Sequence, residues 1–165
     1  MSEGERQAGG HAQSTHARVG HETVEHPTVV AFSRALRSPT PLASHEWEDL
    51  LAELVGAIAV AADADGARLI GHVKALAILE DGYVRASAVD VAHSPTTECR
   101  GAAVCAAADL TVNVLIYGLS ATAVSEIAEA VVSRVASNAR VGVTAQPPLP
   151  SGHEHGTVTE QRREQ

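Results

Sequence analysis

His72, His93, Cys99 and Cys105 are the side chains in this sequence best suited to holding a transition metal. Two imidazoles and two thiolates form a sound tetrahedral set for zinc, and the same N and S donors suit nickel or cobalt. The spacing argues the other way. Cys99 and Cys105 have five residues between them, which is not a usual chelating spacing. On a helix their thiols would point about 240° from each other. The plainer reading is two buried, reduced cysteines and two partly exposed histidines. A small enzyme is a third reading, with Cys99 as nucleophile and His93 as its base in a His/Cys pocket.

Other reactive side chains carry less. Lys74 and Asp90 flank one end of the same stretch, but strand parity sends them to opposite faces, so they do not form an acid–base pair. Thr111, Asn113 and Tyr117 share one face of a predicted strand, where a small ligand could lodge. The sequence contains no Gly-rich phosphate loop, no Gly-x-Ser-x-Gly, no His-Glu-x-x-His and no Cys-x-x-Cys. These absences count against the common nucleotide-binding, hydrolase, zincin and zinc-ribbon classes.

The element that must position these residues is Leu69–Asp90, LIGHVKALAILEDGYVRASAVD. It reads as a β-hairpin turning at Asp81-Gly82, which sets Leu79 against Val84, Ala77 against Ala86 and Ala75 against Ala88. That Ala/Val/Leu face is flat enough for a helix to approach closely. The other face carries His72, Lys74, Arg85 and Ser87 and is the predicted binding surface. On this register His93 lies opposite Ile70, diagonal to His72.

Two helices frame the hairpin. Ser44 is placed to cap the first, with Glu46, Glu48 and Asp49 in the first turn where the helix dipole favours carboxylates. Trp47, Leu50, Leu51, Leu54, Val55 and Ile58 form its apolar stripe, and Gly66 terminates it. The second helix is capped by Ser120 or Thr122 and buries Val124, Ile127, Ala128, Val131, Val132 and Val135. Asp109–Gly118 alternates as a third strand, and Arg140–Ala145 adds a short edge strand. Cys99–Ala108 reads as a short helix or buried loop. Together these elements predict an α+β fold, a two-layer sandwich of two long amphipathic helices on a mainly antiparallel sheet of three to four strands.

The predicted domain spans 44–146. Segment 28–43 reads as a docking segment or linker, with Pro39 and Pro41 breaking it from the first helix. Segments 1–27 and 147–165 are too polar to bury a core and read as disordered tails. His11, His16, His21 and His26 recur every five residues in the first tail, a spacing that does not share one helix face.

The stretches IGHVKALA, DGYVRASAV and LTVNVLIYGL resemble the C-terminal domain of CobW-type metallochaperone GTPases, over Leu69–Ala136 at most. The resemblance implies an α+β accessory module that meets a metal-handling partner. The chain carries no GTPase domain, so that activity does not come with it. Val112–Ala136 is also similar to alkaline-shock-type small proteins, a likeness that implies no catalytic residue.

Formal charge is −8, and the acidity lies in the folded part: Ser44–Gln146 holds 13 acidic and 6 basic residues. Such a field repels a phosphate backbone, so nucleic acid is not an expected partner. Apolar runs fall short of the roughly 18 residues of a membrane span, and MSEGERQAGG lacks a secretory signal's layout. The expectation is a cytoplasmic, non-catalytic binding or interaction module that self-associates and works with a protein partner. A metal-handling accessory protein and a small enzyme are the alternatives.

Overall fold

The computed structural model describes residues 26–101 and 104–146. The expectations for the tails lie outside the described residues, apart from His26 and Pro27. Within them the order is β1 (Thr28–Leu42), α1 (Ser44–Ala64), β2 (Leu69–Leu79), β3 (Gly82–Ala88), β4 (Thr96–Arg100), β5 (Cys105–Tyr117), α2 (Ala121–Asn138) and β6 (Gly142–Ala145). The strands form one sheet in the order β4-β3-β2-β5-β1-β6, and every neighbouring pair is antiparallel. The fold is α+β in two layers, with six strands where three or four were expected.

The two additional strands are β1 and β4. Thr28–Leu42, expected as a docking segment or linker, lies inside the sheet between β5 and β6. Its prolines do not end it. The β1–β5 register is interrupted between Arg37 and Leu42, so Pro39 and Pro41 sit where no ladder bond needs their missing N–H. Of the Cys99–Ala108 run, expected as a short helix or buried loop, β4 takes Cys99 and Arg100 and β5 takes Cys105–Ala108.

Each helix is the crossover of a β-α-β unit. β1 and β2 run parallel with β5 between them, and β5 and β6 run parallel with β1 between them. The segment β6-β1-β5-β2 therefore has split β-α-β connectivity. β3 and β4 widen it beyond β2.

α1 packs on β2, β3 and β4, while α2 packs on β1 and β6, and the helices touch each other. Both cover the same face. The stripe of α1 is buried as its spacing predicts, from Trp47 to Ala62. Its N-cap is Ala43 rather than Ser44. The Glu46 carboxylate accepts from the Ala43 backbone N–H at 2.7 Å, so a side chain three residues on does the capping. Gly66, with φ +93°, ends the helix as expected. In α2 the Ser120 hydroxyl accepts from Ala123 N–H at 3.2 Å. Ala75, Ala77, Ala86 and Ala88 form the sheet floor beneath α1 and are all buried. Their small side chains let the helix sit close. Among the described residues no helix is long and apolar enough to cross a membrane.

The hairpin differs from its predicted register by two residues. Leu79 pairs with Gly82, Ala77 with Val84 and Ala75 with Ala86, so the turn is Glu80-Asp81 and Gly82 is a strand residue. The reason is steric. A Cβ at Gly82 would overlap the Arg100 carbonyl oxygen and lie 2.8 Å from its carbon, so this glycine serves close approach to β4. A slip of two preserves parity, and the two faces keep their predicted residues.

A second irregularity lies between Ile70 and His72, where the β2–β5 register shifts at Gly71. The bulge turns Ile70 into the core (8 % exposed) and His72 to the face away from the helices. Position 70 and His72 therefore do not share a face, contrary to the expected alternation.

Candidate functional site

Among the described residues no helix covers the second face of the sheet, and the strand registers lay its side chains in rows. One row runs Thr96, Ser87, Lys74, Asn113, Ala31. The next runs Glu98, Arg85, Leu76, Thr111, Ser33, and a third Arg100, Tyr83, Ile78, Asp109, Ala35. His72 lies beyond the first row, opposite Leu115, which in turn faces Val29. The rows enclose a shallow concavity of about 730 Å³ centred on β2 and β3. Its floor includes Leu76 and Ile78, 37 % and 48 % exposed. Lys74, Arg85, Ser87, Thr96, Glu98, Thr111 and Asn113 surround them.

The outer wall is a hydrogen-bonded cluster around Glu98. Tyr83 Oη donates to Glu98 Oε1 at 2.8 Å, and Arg85 donates to Oε2. Arg100 Nε lies 3.4 Å from Oε1, and its guanidinium stands over the Tyr83 ring at 5.9 Å. The Tyr83 bond, then the Arg85 bond and the charges of Arg85 and Arg100, hold the Glu98 carboxyl below its ordinary range. The same bond raises the Tyr83 phenol, because ionising it would place two negative oxygens together. Deeper in, Ser33 and Thr111 hydroxyls meet at 3.2 Å. Among the described residues Lys74 stands without an ion pair. Its charge adds to partial burial, the larger effect, in lowering the His72 pKa.

Of the predicted binding residues, Lys74, Arg85 and Ser87 line the concavity, and His72 lies outside its rim. Thr111 and Asn113 line it too, while Tyr117 pairs with Leu69 at the far end of β5. Sequence reasoning missed Thr96, Glu98 and Tyr83. The first two lie on the unrecognised β4. The signal for Tyr83 was its parity with Arg85.

The four proposed metal ligands do not come together. His72 faces away from the helices, whereas Cys99 pairs with the buried Val84 and so faces them. The Cys99 thiol donates to Gly101 O at 3.6 Å, and the buried Cys105 thiol donates to Ala107 O at 3.4 Å. His93 is off the sheet in the β3–β4 connection. There Asp90 Oδ1 accepts from the Ala92 and His93 backbone N–H groups, both at 2.9 Å, and Oδ2 lies 2.8 Å from His93 Nδ1. This is a side-chain-closed turn, and its bonds lower the Asp90 pKa. Among the described residues no group of three or more His, Cys, Asp or Glu side chains is placed to hold a metal ion. The expected set fails because the hairpin ladder ends at Ala88, before His93, and because Cys99 lies on the helix-facing side of β4.

The arrangement offers hydrogen bonds, one unpaired ammonium and an apolar floor. Such groups can recognise a surface or a small polar–apolar ligand, and the Cys99 thiol bonds to Gly101 O while His93 bonds to Asp90. No protein-family model, curated protein or solved structure matches this chain.

Proposed function

We propose that the chain is a non-catalytic interaction module that self-associates and docks a protein partner on the uncovered face of its sheet. The observation that carries this reading is the exposure of Leu76 and Ile78 within a concavity ringed by Lys74, Arg85, Ser87, Thr96, Glu98, Thr111 and Asn113. Apolar side chains ringed by polar groups have the anatomy of an interface core and rim. The ring carries both signs of charge and many hydroxyls, which favours a polypeptide surface over a purely apolar ligand. The CobW-type resemblance of Leu69–Ala136 supports reading the partner as a metal-handling protein.

The test is comparative capture. Full-length chain, a Leu76→Lys/Ile78→Lys variant and a control variant Val60→Lys on the exposed side of α1 are each used to recover partners from the source cell. A protein retained by wild type and control but lost from the face variant supports the reading. Equal recovery on all three overturns it.

A further inference from the structure

The edge of β1 points to how two copies assemble. β1 is a long strand, but β6 pairs only with Arg34–Arg37. Along Thr28–Ser33 the ladder to β5 is continuous, while the other edge has no partner among the described residues. Its outward N–H and C=O groups form a template for another strand.

Several features mark this edge as built for pairing. The sequence TVVAFS is β-prone and carries no charge, so it lacks the usual protection of an exposed edge. Val29 on the open face is 57 % exposed, and Val30 and Phe32 on the helix side are only partly buried.

We propose that the occupant is a second copy of this chain, paired antiparallel through the same edge about a twofold axis at Val30. The inference rests on the self-association included above and gives it a surface and a register. An uncharged segment can face itself without repulsion, and an isologous contact closes at two copies. The boundaries of the open edge set the register. Pairing Val30 with Val30 of the second copy sets Thr28 against Phe32 and keeps like faces together. It stops at Pro27 on one side and at Ala145, already seated against Arg34, on the other. Centring one residue later would drive Thr28 of the second copy into Ala145. The result is one twelve-stranded sheet with both helical layers on one side and both concavities on the other.

The full-length chain is tested by sedimentation with three variants. Wild type is expected at twice the 17.1 kDa chain mass. Val29→Lys/Ala31→Lys crowds four like charges on one cross-strand patch and is expected to be monomeric with an unchanged circular dichroism spectrum. Val30→Cys is expected to form an intermolecular disulfide on mild oxidation, since Cα atoms directly opposite are about 4.5–5.5 Å apart. Ser33→Cys, whose copies would be about 20 Å apart, is not. A dimer that survives the lysines and does not crosslink at position 30 overturns the edge while leaving self-association standing. A wild-type monomer at all concentrations, including one whose own tails cover the edge, removes both. It leaves the partner-docking face to its own capture test.

Discussion

Tyr83 Oη lies 2.8 Å from Glu98 Oε1, a bond from β3 to the edge strand β4 that shifts the two groups in opposite directions. The carboxylate is favoured in its charged form and the phenol in its neutral form. In a Tyr117→Phe background, Tyr83 is the only phenol left to titrate in the ultraviolet. Glu98→Gln is then expected to move its midpoint down toward the ordinary tyrosine value near 10. A midpoint that stays where it was would mean that the bond does not persist in solution.

The end of α2 carries a correctable defect. Arg140 adopts φ 59°, and Val141 N–H bonds back to Ala136 O at 2.8 Å. This is the glycine position of a helix-terminating motif, filled by a residue with a Cβ. Arg140→Gly is expected to stabilise the fold by about 0.5–1 kcal/mol, the net of relieved backbone strain and glycine's larger unfolded-state entropy. Urea unfolding midpoints measure it. A destabilised variant would show that the arginine side chain contributes more than its backbone costs.

The parts of the fold that could be read from sequence are those with a strong local period. The stripes from Trp47 to Ile58 and from Val124 to Val135 each place a helix, and hairpin alternation assigns Lys74, Arg85 and Ser87 to one face. The missed parts are governed by tertiary neighbours. β4 contains two threonines, a glutamate and an arginine, and it is a strand because Glu98 meets Arg85 and Tyr83 across the ladder. The prolines of β1 read as breakers only while its β5 partner is unknown. The Gly71 bulge leaves no periodic trace, because one extra residue is indistinguishable from ordinary alternation until the register with β5 is seen. The expected convergence of His72 and His93 failed for a different reason: the hairpin ladder ends at Ala88, which leaves His93 off the sheet.

His72 gives the open face a pH dependence of defined sign. Partial burial first, and the Lys74 ammonium second, lower its folded-state pKa from 6.5. Above the unfolded-state value both states are neutral at this position and nothing is lost. As pH falls through that value the unfolded chain takes up a proton before the folded one, so stability declines until pH passes below the folded pKa. His72→Gln is expected to flatten this part of the stability profile. Lys74→Met is expected to raise the His72 midpoint measured by NMR, by less than the burial effect. A His72 midpoint at or above 6.5 in wild type would contradict the assignment. At lower pH a separate decline is expected as Asp90 and Glu98, both lowered, lose their bonds on protonation.

Gly82 is the residue on which the outer wall of the concavity depends. An added Cβ would overlap the Arg100 carbonyl and approach the Gly101 Cα to 3.1 Å, and both obstacles are backbone. Neither can rotate away as a side chain would, so β4 must shift outward from its Arg100 end. Pairing there runs Tyr83 to Arg100, Val84 to Cys99 and Arg85 to Glu98, so the shift reaches Glu98 within two residues. Gly82→Ala is expected to cost about 1–3 kcal/mol, the range for overpacking a closed site. In the Tyr117→Phe background it should also return the Tyr83 midpoint toward its ordinary value. Gly66→Ala is the matched control. Gly66 has φ +93° and open space around its missing Cβ, so the cost is backbone strain of about 1–2 kcal/mol far from β4. Comparable destabilisation with no change in Tyr83 would separate loss of stability from loss of the wall. If Gly82→Ala left the Tyr83 titration intact, the β3–β4 approach would have to be looser than the registers require, and Glu98 would lose its place in the wall of the concavity.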